Sequence, residues 1–147
     1  MSTPDAALRT LAVQLRDEDT PISPHVVEPA SAPVLGALAA AGPRSAAAPA
    51  EYALVVEAVH EGYLLHYGES RLLVGHDADL GLLAGDYLYA LGLDRLAKLG
   101  DERAVAILSD LISRCGQLQA EGDTGEIPGL WEAAARAIAG ATASGPD

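Results

Sequence analysis

Apolar residues recur at helical spacing along most of the chain, in six segments that are separated by proline- and glycine-containing breaks. In the first segment, Leu8, Leu11 and Leu15 follow Thr3 and Pro4, a hydroxyl cap and a proline suited to the first helical position. Asp77 and Asp101 stand where N-caps are expected before the fourth and fifth segments. The pattern predicts helices over residues 4–17, 34–41, 49–67, 78–99, 102–122 and 129–139.

The spacing between these segments predicts how the chain is organised. Residues 1–48 are expected to form an N-terminal helix followed by a proline- and alanine-rich linker, extended over residues 20–33. Residues 49–140 are expected to form a helical domain, and residues 141–147 a flexible tail. The composition agrees: alanine supplies 29 residues and leucine 22, whereas phenylalanine is absent. We therefore predict an all-α bundle of about five to six helices.

The helix predicted over residues 78–99 is the most distinctive segment of the sequence. It is apolar on almost every side, which predicts that it lies centrally in the bundle or is covered by a partner. Gly81, Gly85 and Gly92 leave one face of this helix without side chains, so another helix should approach closely there. Asp86 is the one charge set among the leucines, and we expect it to be paired with an arginine, a helix terminus or a partner subunit.

The net charge and the cysteine content argue against some kinds of binding partner and favour one kind of cellular compartment. The formal net charge of −12 argues against binding to nucleic acid or to anionic lipid, both of which need a positive surface. A single cysteine, Cys115, favours a reducing compartment, and its place on an apolar stripe indicates a core residue. Neither a secretory signal nor an uninterrupted span of about 20 apolar residues is evident, so we expect a cytoplasmic protein without stable membrane insertion.

Four side chains of the helix predicted over residues 49–67 suggest metal chemistry. Glu57 and Glu61 lie four residues apart and could share a cation, and His60 and His66 are nearby. The two histidines are six apart, however, and do not align on one face as zinc-protease histidines four apart do. We therefore expect all four to be solvated polar residues of an amphipathic helix, and a metal-dependent enzyme using them is the least favoured hypothesis.

Several segments resemble the trans-polyprenyl diphosphate synthase superfamily. These are LAGDYLY at 83–89, LAKLGD at 96–101, AVAILSDLI at 104–112 and QAEG at 119–122, within a similarity that covers residues 51–122. The tyrosine after Gly85 and Asp86 is more similar to the small, non-catalytic subunits of heterodimeric hepta- and hexaprenyl synthases. The resemblance implies part of the isoprenoid synthase fold.

The sequence departs from the enzymes of this superfamily at their two aspartate-rich boxes, which hold Mg²⁺ against the substrate diphosphates. Counting back from the resemblance places the first box near residues 57–61, where only Glu57 and Glu61 carry carboxylates, and Arg71 is the lone basic residue that follows. The second box would lie far beyond residue 122. No catalytic residue is therefore assigned in this chain.

The resemblance implies a non-catalytic subunit that pairs with a catalytic prenyl diphosphate synthase subunit and helps to set prenyl chain length. The usual destination of such chains is a quinone side chain, menaquinone especially in bacteria. We expect this chain alone to bind no cofactor, and the partner to carry the Mg²⁺. The expected partner interface lies on one helix and comprises Gly81, Gly85, Asp86, Tyr87, Tyr89 and Gly92. The alternative is a small helical scaffold or regulatory protein, unrelated to prenyl transfer, that acts through protein–protein contacts.

Overall fold

A computed structural model describes residues 3–141 of the chain, and over these residues it is all-α, as the sequence predicts. Residues 142–147, most of the predicted tail, lie outside this range. The helices are α1 (Ala7–Asp17), α2 (Val34–Ala40), α3 (Pro49–Tyr67), α4 (Ala78–Lys98), α5 (Glu102–Glu121) and α6 (Ile127–Ala139). None of them is long and apolar enough to cross a membrane.

The local signals place most of the helix ends within two residues of prediction. The side chains of Asp77 and Asp101 cap α4 and α5 by accepting hydrogen bonds from the N–H groups of Leu80 and Ala104. Gly122 ends α5 in the left-handed region at φ 73°, which glycine adopts without a steric penalty. The start of the chain differs, because Pro4–Ala6 form a 3-10 turn before α1 begins.

Helix α3 is the central element, and it is buried on all sides from Tyr52 to Val59. Helices α1, α2, α4 and α5 all contact it. The expectation that α3 is amphipathic was wrong, because no side of it is exposed from Tyr52 to Val59. Helix α4 has an exposed side and is not the central helix, so for α4 cover by a partner stays a prediction. Alanine and valine supply five of the seven residues from Ala53 to Val59 and let the neighbouring helices pack closely around α3, so it occupies the centre despite its two buried glutamates, Glu57 and Glu61.

Two apolar clusters meet on α3. The larger one joins α3, α5 and α6 through residues such as Val59, Leu108 and Trp131. The second packs Leu8, Leu11 and Leu15 of α1 against Ala58, Leu72 and Leu88. The N-terminal helix is therefore part of the same packed body as the helices that follow it.

The segment 20–33, which was predicted to be an extended linker, is ordered against the connector between α3 and α4. The segment 20–33 contains a 3-10 turn, Ser23–His25, and the N–H of Val27 donates to the carbonyl of Leu72 at 2.8 Å. Val26 and Leu73 form an isolated antiparallel bridge. Leu72 and Leu73 are fully buried, so the connector between α3 and α4 belongs to the core rather than lying on the surface.

Candidate functional site

Glu57 and Glu61, the two carboxylates singled out from the sequence, lie one turn apart on α3 and have no exposed surface. Arg71, from the connector after α3, bridges them. Its Nη1 donates to Glu57 Oε1 at 2.7 Å, and its Nε donates to Glu61 Oε1 at 2.9 Å. We call these three residues the buried ion cluster. The expectation that Glu57 and Glu61 are solvated was wrong, because a single arginine brought in by the connector neutralises part of their charge inside the core.

Neutral donors satisfy the other carboxylate oxygens of the buried ion cluster. The N–H of Gly36, in α2, donates to Glu57 Oε2 at 2.8 Å. Ser70 Oγ and the N–H of Arg71 both donate to Glu61 Oε2, the latter at 3.0 Å. Buried carboxylates are tolerated when donors surround them in this way. The cluster therefore ties α2, α3 and the connector together.

This arrangement determines what the two carboxylates can do chemically. Both oxygens of Glu57 and both oxygens of Glu61 already accept hydrogen bonds, and no exposed surface leads to them. A divalent cation binds carboxylate oxygens directly, so it would have to displace Arg71 from the core. Within residues 3–141, no group of three or more histidine, cysteine or acidic side chains is placed to hold a metal ion. The geometry of the pair suits structural cohesion rather than cation binding.

The two histidines of α3 lie on different sides of the helix, as their spacing predicts, but neither is well solvated. The side chain of His60 is 20% exposed, and its ring is tilted by 52° against that of Trp131, with the centroids 4.8 Å apart. His66 is 15% exposed and faces α4, where its Nε2 lies 3.0 Å from the carbonyl oxygen of Leu82. His66 and Glu61 therefore do not form a joint site with His60, and the expectation of exposed polar side chains was wrong for all three.

The glycines expected at a partner interface pack inside this chain. A Cβ atom built on Gly85 would lie 2.9 Å from the carbonyl oxygen of Gly62 and closer still to the ring of His66. A Cβ atom on Gly92 would lie 2.5 Å from Val59 Cγ2. Gly81 is also buried. The helix that approaches this stripe so closely is α3, so the stripe serves the α3–α4 contact.

The other three residues expected at the interface are divided between the inside and the outside of α4. Tyr89 is partly buried, and its ring meets that of His66 edge-on at 5.2 Å. Tyr87 is 37% exposed and donates to Glu18 Oε2 at 2.8 Å. Asp86 was expected to be paired with an arginine, a helix terminus or a partner subunit. Its side chain is 71% exposed, and its Oδ1 lies 3.2 Å from Nε2 of His66 in α3, so within the described residues its partner is a histidine.

One side of α4 carries apolar side chains that no other described residue covers. Leu82 is 52% exposed and Leu83 66%, and they are continuous with Asp86, Tyr87 and Ala90 along the helix. We call these five residues the outer face of α4. Asp79 and Asp94, also exposed, continue the same stripe toward the two ends of the helix.

Arg71 is the member of the buried ion cluster whose partners were not predicted from the sequence. The available signal was weak but physical: a lone arginine ten residues after Glu61, in a stretch where Leu72 and Leu73 predict burial. Cys115, in contrast, was predicted correctly, since it is fully buried on α5. Comparisons of the chain with protein-family models, with curated proteins and with solved structures found no match in any of the three.

Proposed function

We propose that the protein is a non-catalytic subunit of a heteromeric trans-polyprenyl diphosphate synthase. The proposal is carried by the state of Glu57 and Glu61, which stand where the sequence resemblance places the first metal-binding box. Both are buried and bound to Arg71, whereas Mg²⁺ that binds a diphosphate needs open carboxylate oxygens. In this chain Glu57 and Glu61 stabilise the core and are not free to bind Mg²⁺. The chain would therefore depend on a partner subunit to ionise an allylic diphosphate.

The outer face of α4 supports a role that depends on a partner. Leu82 and Leu83 would lose their contact with water on association, and this is the main favourable term in forming such complexes. The exposed acids Asp79, Asp86 and Asp94 on this side favour a partner surface that carries arginine or lysine around an apolar centre. We propose that this partner is the catalytic, Mg²⁺-binding subunit, and that the association helps to set the length of a prenyl chain destined for a quinone.

The experiment compares the chain alone with the chain beside a catalytic partner. The purified protein is incubated with isopentenyl diphosphate, an allylic diphosphate and Mg²⁺, and it should yield no polyprenyl product. Co-expressed with each aspartate-box synthase encoded in the same genome, it should co-purify with one of them as a complex that does yield product. Synthesis by the isolated chain would contradict the proposal, and so would a failure to co-purify with any of these synthases.

A second candidate function is that of a small helical scaffold or regulatory protein with no connection to prenyl transfer. The packing of Gly85 and Gly92 against α3 favours it, because the closest helix–helix approach is already satisfied within one chain. Sedimentation distinguishes the two candidates. A stable monomer that binds no prenyl synthase would favour the scaffold, whereas a defined complex with a synthase would favour the subunit.

A further inference from the structure

A cavity of about 400 Å³ opens between α3 and the first turns of α6, on the opposite side of α3 from the stripe of glycines. This volume is within the range of small-molecule sites, roughly 300–1,000 Å³. Aromatic rings and aliphatic side chains make up most of its wall: Leu35, His60, Tyr63, Leu64, Ile127 and Trp131. None of the residues that line it is an acid, a lysine or an arginine.

The wall of this cavity is held in place by the core. Trp131 is only 3% exposed and Ile127 4%, although both line the cavity. The Trp131 ring contacts His60 and also Tyr63, whose centroid is 5.6 Å away. Tyr63 is fixed in turn by Gln119 Nε2, which donates to its hydroxyl oxygen at 2.7 Å. The cavity is therefore preformed, which reduces the entropy that a ligand loses on binding.

Polar groups among these apolar walls come from His60, from the hydroxyls of Thr124 and Tyr63, and from the Nε1–H of Trp131. The Nδ1 of His60 is buried, makes no hydrogen bond with any described residue and lies 4.0 Å from Glu57 Oε1. A carboxylate oxygen on that side favours the tautomer with the proton on Nδ1, which leaves Nε2 as a hydrogen-bond acceptor. Burial, reinforced by the charge of Arg71, lowers the pKa of His60 to about 3, so the ring is neutral near pH 7.

We propose that this cavity binds an uncharged, largely apolar small molecule whose single hydroxyl group donates a hydrogen bond to Nε2 of His60. The apolar wall favours a hydrocarbon body, and the neutral imidazole fixes its orientation. An anionic ligand would lose its hydration without gaining a cationic partner, since no lysine or arginine lines the cavity. The proposal does not depend on the function proposed above.

Three probes with similar hydrocarbon chains test this ligand class on the full-length protein. They are n-octanol, heptyl methyl ether, which lacks the O–H group, and octanoate, which is charged. Trp131 is the only tryptophan of the chain and lines the cavity, so its fluorescence reports binding there directly. We expect saturable binding of octanol that is about three- to tenfold tighter than that of the ether, as one hydrogen bond provides. Octanoate should bind at least about tenfold more weakly than octanol.

A variant of His60 tests whether this residue causes the preference for octanol over the ether. In His60→Phe, which retains an aromatic ring without nitrogen, octanol and the ether should bind with equal affinity. His25→Phe is the matched control, because His25 lies in the segment before α2 and does not line the cavity. It should retain the preference of the native protein. The proposal is overturned if octanol causes no saturable change up to its solubility limit, if the native protein binds alcohol and ether equally, or if octanoate binds most tightly. These outcomes need no variant, so they hold even if His60→Phe fails to fold.

Discussion

The guanidinium of Arg71 donates a 2.7 Å hydrogen bond to Glu57, a carboxylate with no exposed surface. Removing one partner of a buried ion pair leaves the other charge without compensation. We therefore expect Arg71→Ala to lower the free energy of unfolding by about 3–5 kcal/mol. The loss should be larger than for an ordinary pair, since Arg71 serves two buried carboxylates at once. Urea denaturation followed by circular dichroism measures it.

Lys98→Ala is the control for this prediction. Lys98 pairs with Asp94 within α4, but the two side chains are 75% and 59% exposed, so water screens the pair. Its removal should cost no more than about 1 kcal/mol. Equal losses in the two variants would mean that the buried ion cluster contributes no more to stability than a surface pair does.

The sequence predicts the helices well because the signals for them are local. Apolar spacing, Asp77 and Asp101 as caps and Gly122 as a terminator each act within one or two turns. The burial of Glu57 and Glu61 is not local, since it depends on Arg71 and on the N–H of Gly36, which is 21 positions away in the chain. Spacing along one helix cannot reveal a neutralising partner brought in by another segment, and this is why the two acids were expected in solvent.

The role of the α4 glycines could be predicted only in part, because it too depends on residues that are distant in the chain. The close approach of another helix follows from Gly85 and Gly92 themselves, but the identity of that helix depends on the tertiary arrangement. The connector is folded into the core through Leu72 and Leu73, and this returns α4 directly onto α3. A pattern of small residues indicates that something packs there, without indicating whether it belongs to the same chain.

Replacing Gly85 tests the packing of α4 on α3. A methyl group at this position would meet the carbonyl oxygen of Gly62 and the ring of His66, so the two helices would have to move apart. We expect Gly85→Ala to lower the free energy of unfolding by about 1–3 kcal/mol, the usual cost of overpacking. Thermal unfolding followed by circular dichroism measures the change.

Gly116→Ala provides the control within a helix of similar length. A Cβ atom on Gly116 of α5 would meet only the hydroxyl oxygen of Tyr67, at an ordinary 3.6 Å. Because alanine favours a helix interior more than glycine does, this variant should be stabilised by about 0.5–1 kcal/mol. Destabilisation of both variants would point to a general intolerance of the bundle, and not to close contact at Gly85.

The stability of the protein should depend on pH through His60. Burial, with a further contribution from Arg71, lowers the pKa of this imidazole to about 3 from its ordinary 6.5. The unfolded chain thus binds a proton as the pH falls below about 6.5, whereas the folded chain does not until the pH is near 3. The folded state is therefore destabilised across this window, with a limiting slope of about 1.4 kcal/mol per pH unit.

The His60→Phe variant separates this contribution from that of the carboxylates, which titrate in both proteins. Urea denaturation at intervals between pH 7 and pH 4 should give a shallower loss of stability for the variant than for the native chain. The difference should develop below about pH 6.5, where the unfolded imidazole becomes charged. Parallel pH profiles would mean that the folded state accommodates a charged His60 without penalty.

Leu83→Asp tests whether the outer face of α4 is the surface that binds a catalytic synthase subunit. Leu83 is 66% exposed and is not among the nearest neighbours of Gly81, Gly85 or Gly92. The substitution should therefore change the free energy of unfolding of the isolated chain by less than about 0.5 kcal/mol. Burying an unpaired carboxylate at an interface is costly, and we expect the affinity for the synthase to fall at least tenfold, to about one tenth or less of the native value.

Val34→Asp is the control, because Val34 is 63% exposed but lies at the start of α2, away from this face. Sedimentation velocity with each purified variant and the synthase measures the two affinities. A loss of binding with Leu83→Asp alone assigns the outer face of α4 to the complex. An equal loss with both variants would indicate a general effect of added negative charge on a chain that already carries −12. Native affinity in Leu83→Asp would remove the outer face of α4 from the interface, and the association would then have to use another surface of the bundle.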